Sequence, residues 1–343
     1  MKLDIRNLPV DGIKAELSAM GEPAFRAKQI HEWIWKKGAG SFEEMTNLSK
    51  PLREALNNRF EFRKVSIKTM QKSSDRTIKI AFSLHDDNIV EGVLIPTSTR
   101  MTACISSQVG CSLSCKFCAT GYLERQRNLD SGEIYDQVVL INKLAIEQYK
   151  IPLSNIVFMG MGEPLLNYSN VMKAIDLITH PDGLGISPQR ITVSTAGISK
   201  MIMRMGDEGV KFNLALSLHA ANNESRSKIM PINDSNNLES LVEALNYLYE
   251  KTGTRVTLEY CVISDTNDHE MEALELATFA RKVKCKINLI EYNPIEFAMY
   301  KASSSDKIEK FAAVLSAQKL IVNIRRSRGK DIDAACGQLA NKH

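Results

Sequence analysis

From residue 100 onward the chain alternates two patterns, and this alternation limits its fold more than any other feature. Short apolar runs read as strands: "MTACIS", "NIVFMG", "RITVST", "FNLALSLH", "VTLEYCVI" and "INLIEYN", with "LIVNIRR" as an edge strand. Between them lie amphipathic stretches such as "GEIYDQVVLINKLAIEQY" and "NLESLVEALNYLYEKTG", with apolar residues at helical spacing. Strands separated by helices lie parallel, with the helices covering the sheet. Six main units predict an α/β fold, an incomplete (β/α)6 TIM-like barrel, with a doubly wound open sheet as the alternative.

Upstream the pattern differs. Residues 1–64 read as a helical accessory domain. "PAFRAKQIHEWIWKKG" places Phe25, Ile30, Trp33 and Ile34 at helical spacing, and "SKPLREALNNRF" has Ser49 as a cap and Pro51 in its first turn. Residues 65–96 read as a small β appendage ("VSIKTMQ", "RTIKIAFSL", "NIVEGVLIP"), leaving 97–343 for the barrel. No apolar run reaches membrane-span length, and the first residues lack the order of a signal peptide, so the expectation is a cytoplasmic protein without a membrane partner. With 44 Lys+Arg against 40 Asp+Glu, net charge neither demands nor excludes a nucleic acid. "RRSRGK" (residues 325–330) and residues 25–38 are locally basic.

The predicted strand ends carry polar and small residues in register. They are the cysteines after the first, "GMGEP" after the second, "STAG" after the third, "SLH" after the fourth and "YNP" after the sixth. A barrel's reactive face lies at these ends. Four of seven cysteines fall within residues 104–118, three of them, Cys111, Cys115 and Cys118, as C-x3-C-x2-C. Clustered thiols in a reducing compartment point to metal or catalysis rather than to structural disulfides. A structural zinc site closes with four ligands, whereas three thiolates can hold three irons of a 4Fe–4S cluster and leave the fourth open. Cys104 is a candidate fourth ligand, but the two-residue period of its strand points Thr102, Cys104 and Ser106 to one side, towards the lumen, as a reactant would.

The triad, with Phe117 before its last cysteine, resembles the signature of radical S-adenosylmethionine (SAM) enzymes, and "GMGEP" resembles their glycine-rich segment. Together with "VEGVLIP", "GMGEPLLN", "ITVSTAGI", "LSLHA", "MPIN" and "DIDAACGQLA", the chain resembles the RlmN family over nearly its whole length. That family consists of dual-specificity RNA methyltransferases acting at adenine C2. The resemblance implies a radical SAM barrel with one 4Fe–4S cluster on Cys111, Cys115 and Cys118, and two SAM molecules per turnover. SAM contacts fall on Gly162, Glu163, Ser194, Ser217, Leu218, His219 and Asn293.

The same resemblance makes Cys336 the methyl carrier, Glu91 the general base, and Cys104 the thiol that releases product by forming a disulfide with Cys336. Implied partners are 23S ribosomal RNA at adenine 2503, transfer RNA at adenine 37 in some members, and a low-potential electron donor of the flavodoxin type. RNA affinity is expected from residues 1–64 and "RRSRGK". Two rivals remain: C8 methylation of the same adenine, as in the Cfr family, and a zinc-stabilised RNA-binding protein without catalysis. Cys261 and Cys285, in or beside apolar strands, are assigned no chemistry, and Trp33 and Trp35 are read as packing.

Overall fold

The computed structural model describes residues 2–341. Strand β1 (Leu3–Asp4) leads into helices α1 (Val10–Ala19), α2 (Arg26–Trp35) and α3 (Lys50–Arg59), and β2 (Phe60–Glu61) returns to pair in parallel with β1. Ser49 caps α3, accepting from the Leu52 N–H, and a proline occupies the first turn. On α2 the buried stripe is Ala27, Ile30 and Ile34, joined by Trp35. Phe25, expected on that stripe, precedes the helix and is exposed. Trp33 is half-buried and donates its indole N–H to Asn47.

Next come the antiparallel strands β3 (Ser66–Lys72), β4 (Ile78–Ser83) and β5 (Ile89–Pro96). Strand β5 pairs antiparallel with β6 (Met101–Cys104), Val93 opposite Cys104, so the β appendage is continuous with the barrel sheet. Short strands β7 (Gln108–Val109) and β8 (Arg127–Asn128) form a separate ladder that brackets the three close cysteines.

The alternation then follows as the sequence pattern predicts: α4 (Ser131–Tyr149), β9 (Asn155–Phe158), α5 (Tyr168–Thr179), β10 (Ile191–Thr195), α6 (Ser199–Asp207) and β11 (Asn213–Ser217). Helices α7 (Asn223–Ile229) and α8 (Leu238–Thr252) lead to β12 (Val256–Val262), α9 (Glu270–Ala280), β13 (Cys285–Glu291), α10 (Ser305–Ala317) and β14 (Val322–Arg325). Strand order from β6 through β9 to β14 follows the chain without reversal, which excludes the doubly wound alternative. Strand β14 stands at one end of the ten-stranded sheet and β3 at the other, so the barrel is incomplete. No helix among the described residues is long and apolar enough to cross a membrane.

The remaining chain, residues 326–341, runs as a strap from β14 back to the antiparallel strands. Arg328 donates to the carbonyls of Pro96 and Asp75, and the Gly329 N–H donates to the Asp75 carboxylate at 2.9 Å. Asp331 accepts from Ser73 and Ser74. Near its end the Ala340 and Asn341 N–H groups donate to the Glu91 carboxylate. Gly329 sits at φ +67°, and a Cβ there would lie 2.8 Å from that of Ala334. Glycine relieves both constraints.

The N-terminal unit docks on α4. Buried Arg6 pairs with Asp4 at 3.0 Å and with Asp136 of α4 at 2.7 Å. Beside it the Tyr135 ring meets Trp35 edge-on at 5.2 Å, and its hydroxyl donates to the Trp35 carbonyl. Removing one member of a buried charge network leaves the others unpaired, at a cost of about 3–5 kcal/mol. Arg6→Ala is therefore expected to lower stability by about that amount and to loosen the helical unit. Denaturant melts, with proteolysis near residues 62–66, check this.

Candidate active site

The cysteine loop is built by close backbone contacts. A Cβ on Gly110 would sit 2.1 Å from the Glu124 carbonyl oxygen, and Gly110 takes φ +73°, so only glycine lets the loop fold back on itself. The Lys116 N–H donates to the carbonyl of Ile229, the last residue of α7. On the other side Ala119 N–H and Thr120 Oγ1 donate, each at 2.7 Å, to the strap carbonyls of Gly337 and Leu339.

Cys111, Cys115 and Cys118 line a cavity of about 150 Å³ at the C-terminal strand ends. Gly162, Glu163, Ser194, Ser217, His219 and Cys336 line it too. Burial pushes all three loop thiols up, Cys111 to about 11, so a bound metal group must displace their protons. Three thiol donors on the wall of one cavity fit a cluster that keeps one position open for a ligand.

Each remaining wall residue has a definite place. Burial raises the Glu163 carboxyl, while N–H groups of Leu165 and Ala196 hold its two oxygens and so tie the ends of β9 and β10 together. Gly162 reaches the cavity, and packing also demands it: at φ +93° a Cβ would fall 2.5 Å from that of Gln108. Ser194 and Ser217 bring their hydroxyls to 3.4 Å. His219 Nδ1 accepts from the Cys261 N–H, which puts the ring proton on Nε2. Burial and then Arg226 hold His219 down at about 3, so it is neutral. Phe117 lies against its ring at 4.7 Å.

Two expected SAM contacts lie off the cavity wall. The Leu218 side chain is in the core, leaving its backbone for contact, and that carbonyl already accepts from Arg226. Asn293 donates to the carbonyls of Glu291 and Cys336, while its buried Oδ1 has no partner. An orphaned buried acceptor is a fit for a ligand's donor group.

A second, smaller cavity opens between β5, β6 and β14. Cys104 and Cys336 both line it, with Val93, Met159 and Arg325. Burial, then Cys336, push the Cys104 thiol up to about 12, and Arg325 opposes them. Cys336 is therefore the thiol common to both cavities, facing the cysteine triad in one and Cys104 in the other.

Comparison with known proteins agrees with this architecture. Residues 3–62 match the ribosomal RNA large subunit methyltransferase N-terminal domain, and residues 105–277 match the radical SAM superfamily. A probable dual-specificity RNA methyltransferase RlmN of Cytophaga hutchinsonii is 60% identical, the alignment spanning 98% of this chain and 93% of that one. A dual-specificity RNA methyltransferase RlmN of Anaeromyxobacter is 41% identical over 98% and 90%. The chain belongs to the RlmN family. A crystal structure of a radical SAM methyltransferase from Sphaerobacter thermophilus superposes with a TM-score of 0.92 at 38% identity, covering 99% of this chain and 100% of that one. RlmN membership brings a 4Fe–4S cluster and SAM as cofactors.

Against that background, several residues stand differently from the sequence reading. "RRSRGK" is not a free basic patch. Arg325 pairs with Glu259, Arg326 with Glu291 and Glu309, Arg328 with Asp75, and Lys330 with Glu291. Glu91 shares a strand face with Cys104, yet its carboxylate lines neither cavity. It is fully buried, ion-paired with Lys79 at 2.9 Å, and holds the end of the strap. Cys261, given no chemistry from sequence, lines the larger cavity at the end of β12, a register position shared with the polar strand ends. Arg226, also missed, lies buried against the ends of β10 and β11, and nothing in "ESRSKI" separates it from a surface helix arginine.

Asp75 is the strap's main carboxylate anchor. Burial raises its carboxyl, but hydrogen bonds led by Thr77 and Gly329 win and hold it at about 2. A charge-assisted hydrogen bond contributes about 1.5–3 kcal/mol, so Asp75→Ala should open the strap locally about tenfold more often. Hydrogen exchange at the strap amides of Ala334 and Ala340, followed by mass spectrometry, should accelerate by that factor.

Proposed function

We propose that the chain methylates C2 of adenine in RNA, at position 2503 of 23S ribosomal RNA and at position 37 of some transfer RNAs. Its relatives' names support an RNA methyltransferase. The observation that carries the mechanism is the position of Cys336, between the triad and Cys104.

In this reading Cys111, Cys115 and Cys118 hold the cluster. Gly162, Glu163, Ser194, Ser217, the Leu218 backbone, His219 and Asn293 hold SAM. When bound, these groups supply one-electron chemistry that removes hydrogen from a methylated thiol. The chain's own groups do the rest. The Cys336 thiolate takes a methyl from a first SAM: its S–C bond forms, the sulfonium S–C bond breaks, and S-adenosylhomocysteine leaves. Once the methylene carbon has joined adenine C2, Glu91 takes the C2 proton, and a bound cluster would supply the one-electron acceptor that this loss requires, leaving a thioether.

The Cys104 thiolate then attacks the Cys336 sulfur. An S–S bond forms, the S–CH2 bond breaks, and the departing carbon keeps the electron pair and gains a proton to become the methyl group. An external dithiol returns the disulfide to two thiols. For Glu91 to act, Ala340 and Asn341 must release its carboxylate, so movement of the strap that carries Cys336 also unmasks the base.

Mass spectrometry of nucleosides from cells with and without the protein tests the reaction. Loss of 2-methyladenosine on deletion is expected, while 8-methyladenosine instead would establish the C8 reaction. Alanine at Cys111, Cys115 or Cys118 should abolish 5′-deoxyadenosine formation. Normal iron together with normal SAM cleavage in any of the three rejects its ligand role. Cys104→Ala should accumulate RNA covalently bound through Cys336, seen as a gel shift reversed by ribonuclease, and Cys336→Ala should form none.

The Cys104 pKa sets a pH dependence. With the thiol at about 12, its thiolate fraction rises roughly tenfold per pH unit through the neutral range. Release of RNA from preformed adduct should therefore speed up by about that factor per unit between pH 7 and 9, in a quench-flow or gel assay.

A further inference from the structure

Arg226 is among the largest fully buried side chains of the described residues, and its surroundings lack what a buried cation ordinarily has. Its guanidinium donates to five acceptors: the carbonyls of Leu218 (3.1 Å), Asn236 (3.4 Å), Ala196 (2.6 Å) and Ser217 (3.3 Å), and Asn233 Oδ1 (3.0 Å). All are neutral. Among the described residues no carboxylate lies within ion-pair distance of it. Hydrogen bonds satisfy its N–H groups but leave a full charge out of water, a cost of several kcal/mol without an opposite charge nearby.

The missing anion has an obvious place. Arg226 sits one turn before the end of α7, and the Ile229 carbonyl at that end accepts from the N–H next to Cys115. Cys115 packs in one apolar group with Ala196, Ile229 and Met230, which borders the carbonyl that Arg226 grips. Three thiolates outweigh the positive charge of an oxidised 4Fe–4S core, so the assembled group is an anion, and reduction adds one more negative charge.

We propose that Arg226 is the fixed counter-charge of the cluster, a positioning residue that joins the ends of β10 and β11 and raises the cluster's reduction potential from behind Cys115. This inference rests on the triad being the cluster ligands and is independent of which RNA atom is methylated. A fixed cation favours the reduced cluster over the oxidised one because the reduced cluster is the more negative. Its removal makes the cluster harder to reduce.

The test is a redox titration, monitored by electron paramagnetic resonance, of the full-length reconstituted protein without SAM or RNA. Wild type is compared with Arg226→Gln, which removes the charge, and Arg226→Lys, which keeps it but loses the planar fork. At the wild-type midpoint, Arg226→Gln should show a reduced-to-oxidised ratio about tenfold lower, equal to a 59 mV shift for a one-electron couple. Arg226→Lys should stay closer to wild type than to Arg226→Gln.

Equal displacement of both variants, or none in either, reduces Arg226 to a hydrogen-bonded tie and overturns the inference. If Arg226→Gln cannot retain iron, retention by Arg226→Lys supports it and loss from both overturns it. Cys115→Ala with full iron and sulfide would sink the ligand assignment instead. Loss of the cluster there, beside an unshifted Arg226→Gln, would sink only the role of the arginine.

Discussion

Strand β6 has two edges, and both are taken: β9 pairs in parallel on one side and β5 antiparallel on the other. No edge is left for β14, so the barrel cannot close by hydrogen bonding and a gap stays between the first and last strands. The strap spans that gap, leaving β14 and fastening to Ser73, Asp75, Pro96 and Glu91, all on or beside the antiparallel strands. The appendage thus blocks closure and also anchors the segment that occupies the gap. Cys336 and Cys104 line one cavity because of this arrangement.

Charge is distributed along the same lines. Basic residues at the beginning of the strap are matched to carboxylates on β12, β13, α10 and the β3–β4 turn, so they fix the strap's path rather than forming an open cationic surface. Glu91, in contrast, is buried between Lys79 and the strap's end. Its partners tie the strap's end to β5.

Much of the site was readable from strand ends because a parallel barrel converts one sequence regularity into one place in space. Polar residues that end successive strands must converge, whatever separates them along the chain. The strand ends marked the segments that carry Cys111, Cys115, Cys118, Gly162, Glu163, Ser194, Ser217 and His219, the family resemblance gave these residues their roles, and all of them line one cavity. Cys261 ends its strand in the same register but was discounted for its apolar neighbours, which reflect burial of β12 on both faces. Phe25 failed because spacing alone does not locate the first turn of a helix.

The sequence by itself determined the strand–helix order, the grouping of three thiols and the family, since each depends on residue type and local spacing. Only the tertiary structure decided which charges are spent internally and which thiols meet. Cys104 and Cys336 are separated by more than two hundred residues, and the strap's path brings them together. Arg226 looks like a surface arginine on a short helix until two strand ends and a loop close over it. Burial and pairing across the chain are properties of packing, and no local pattern encodes them.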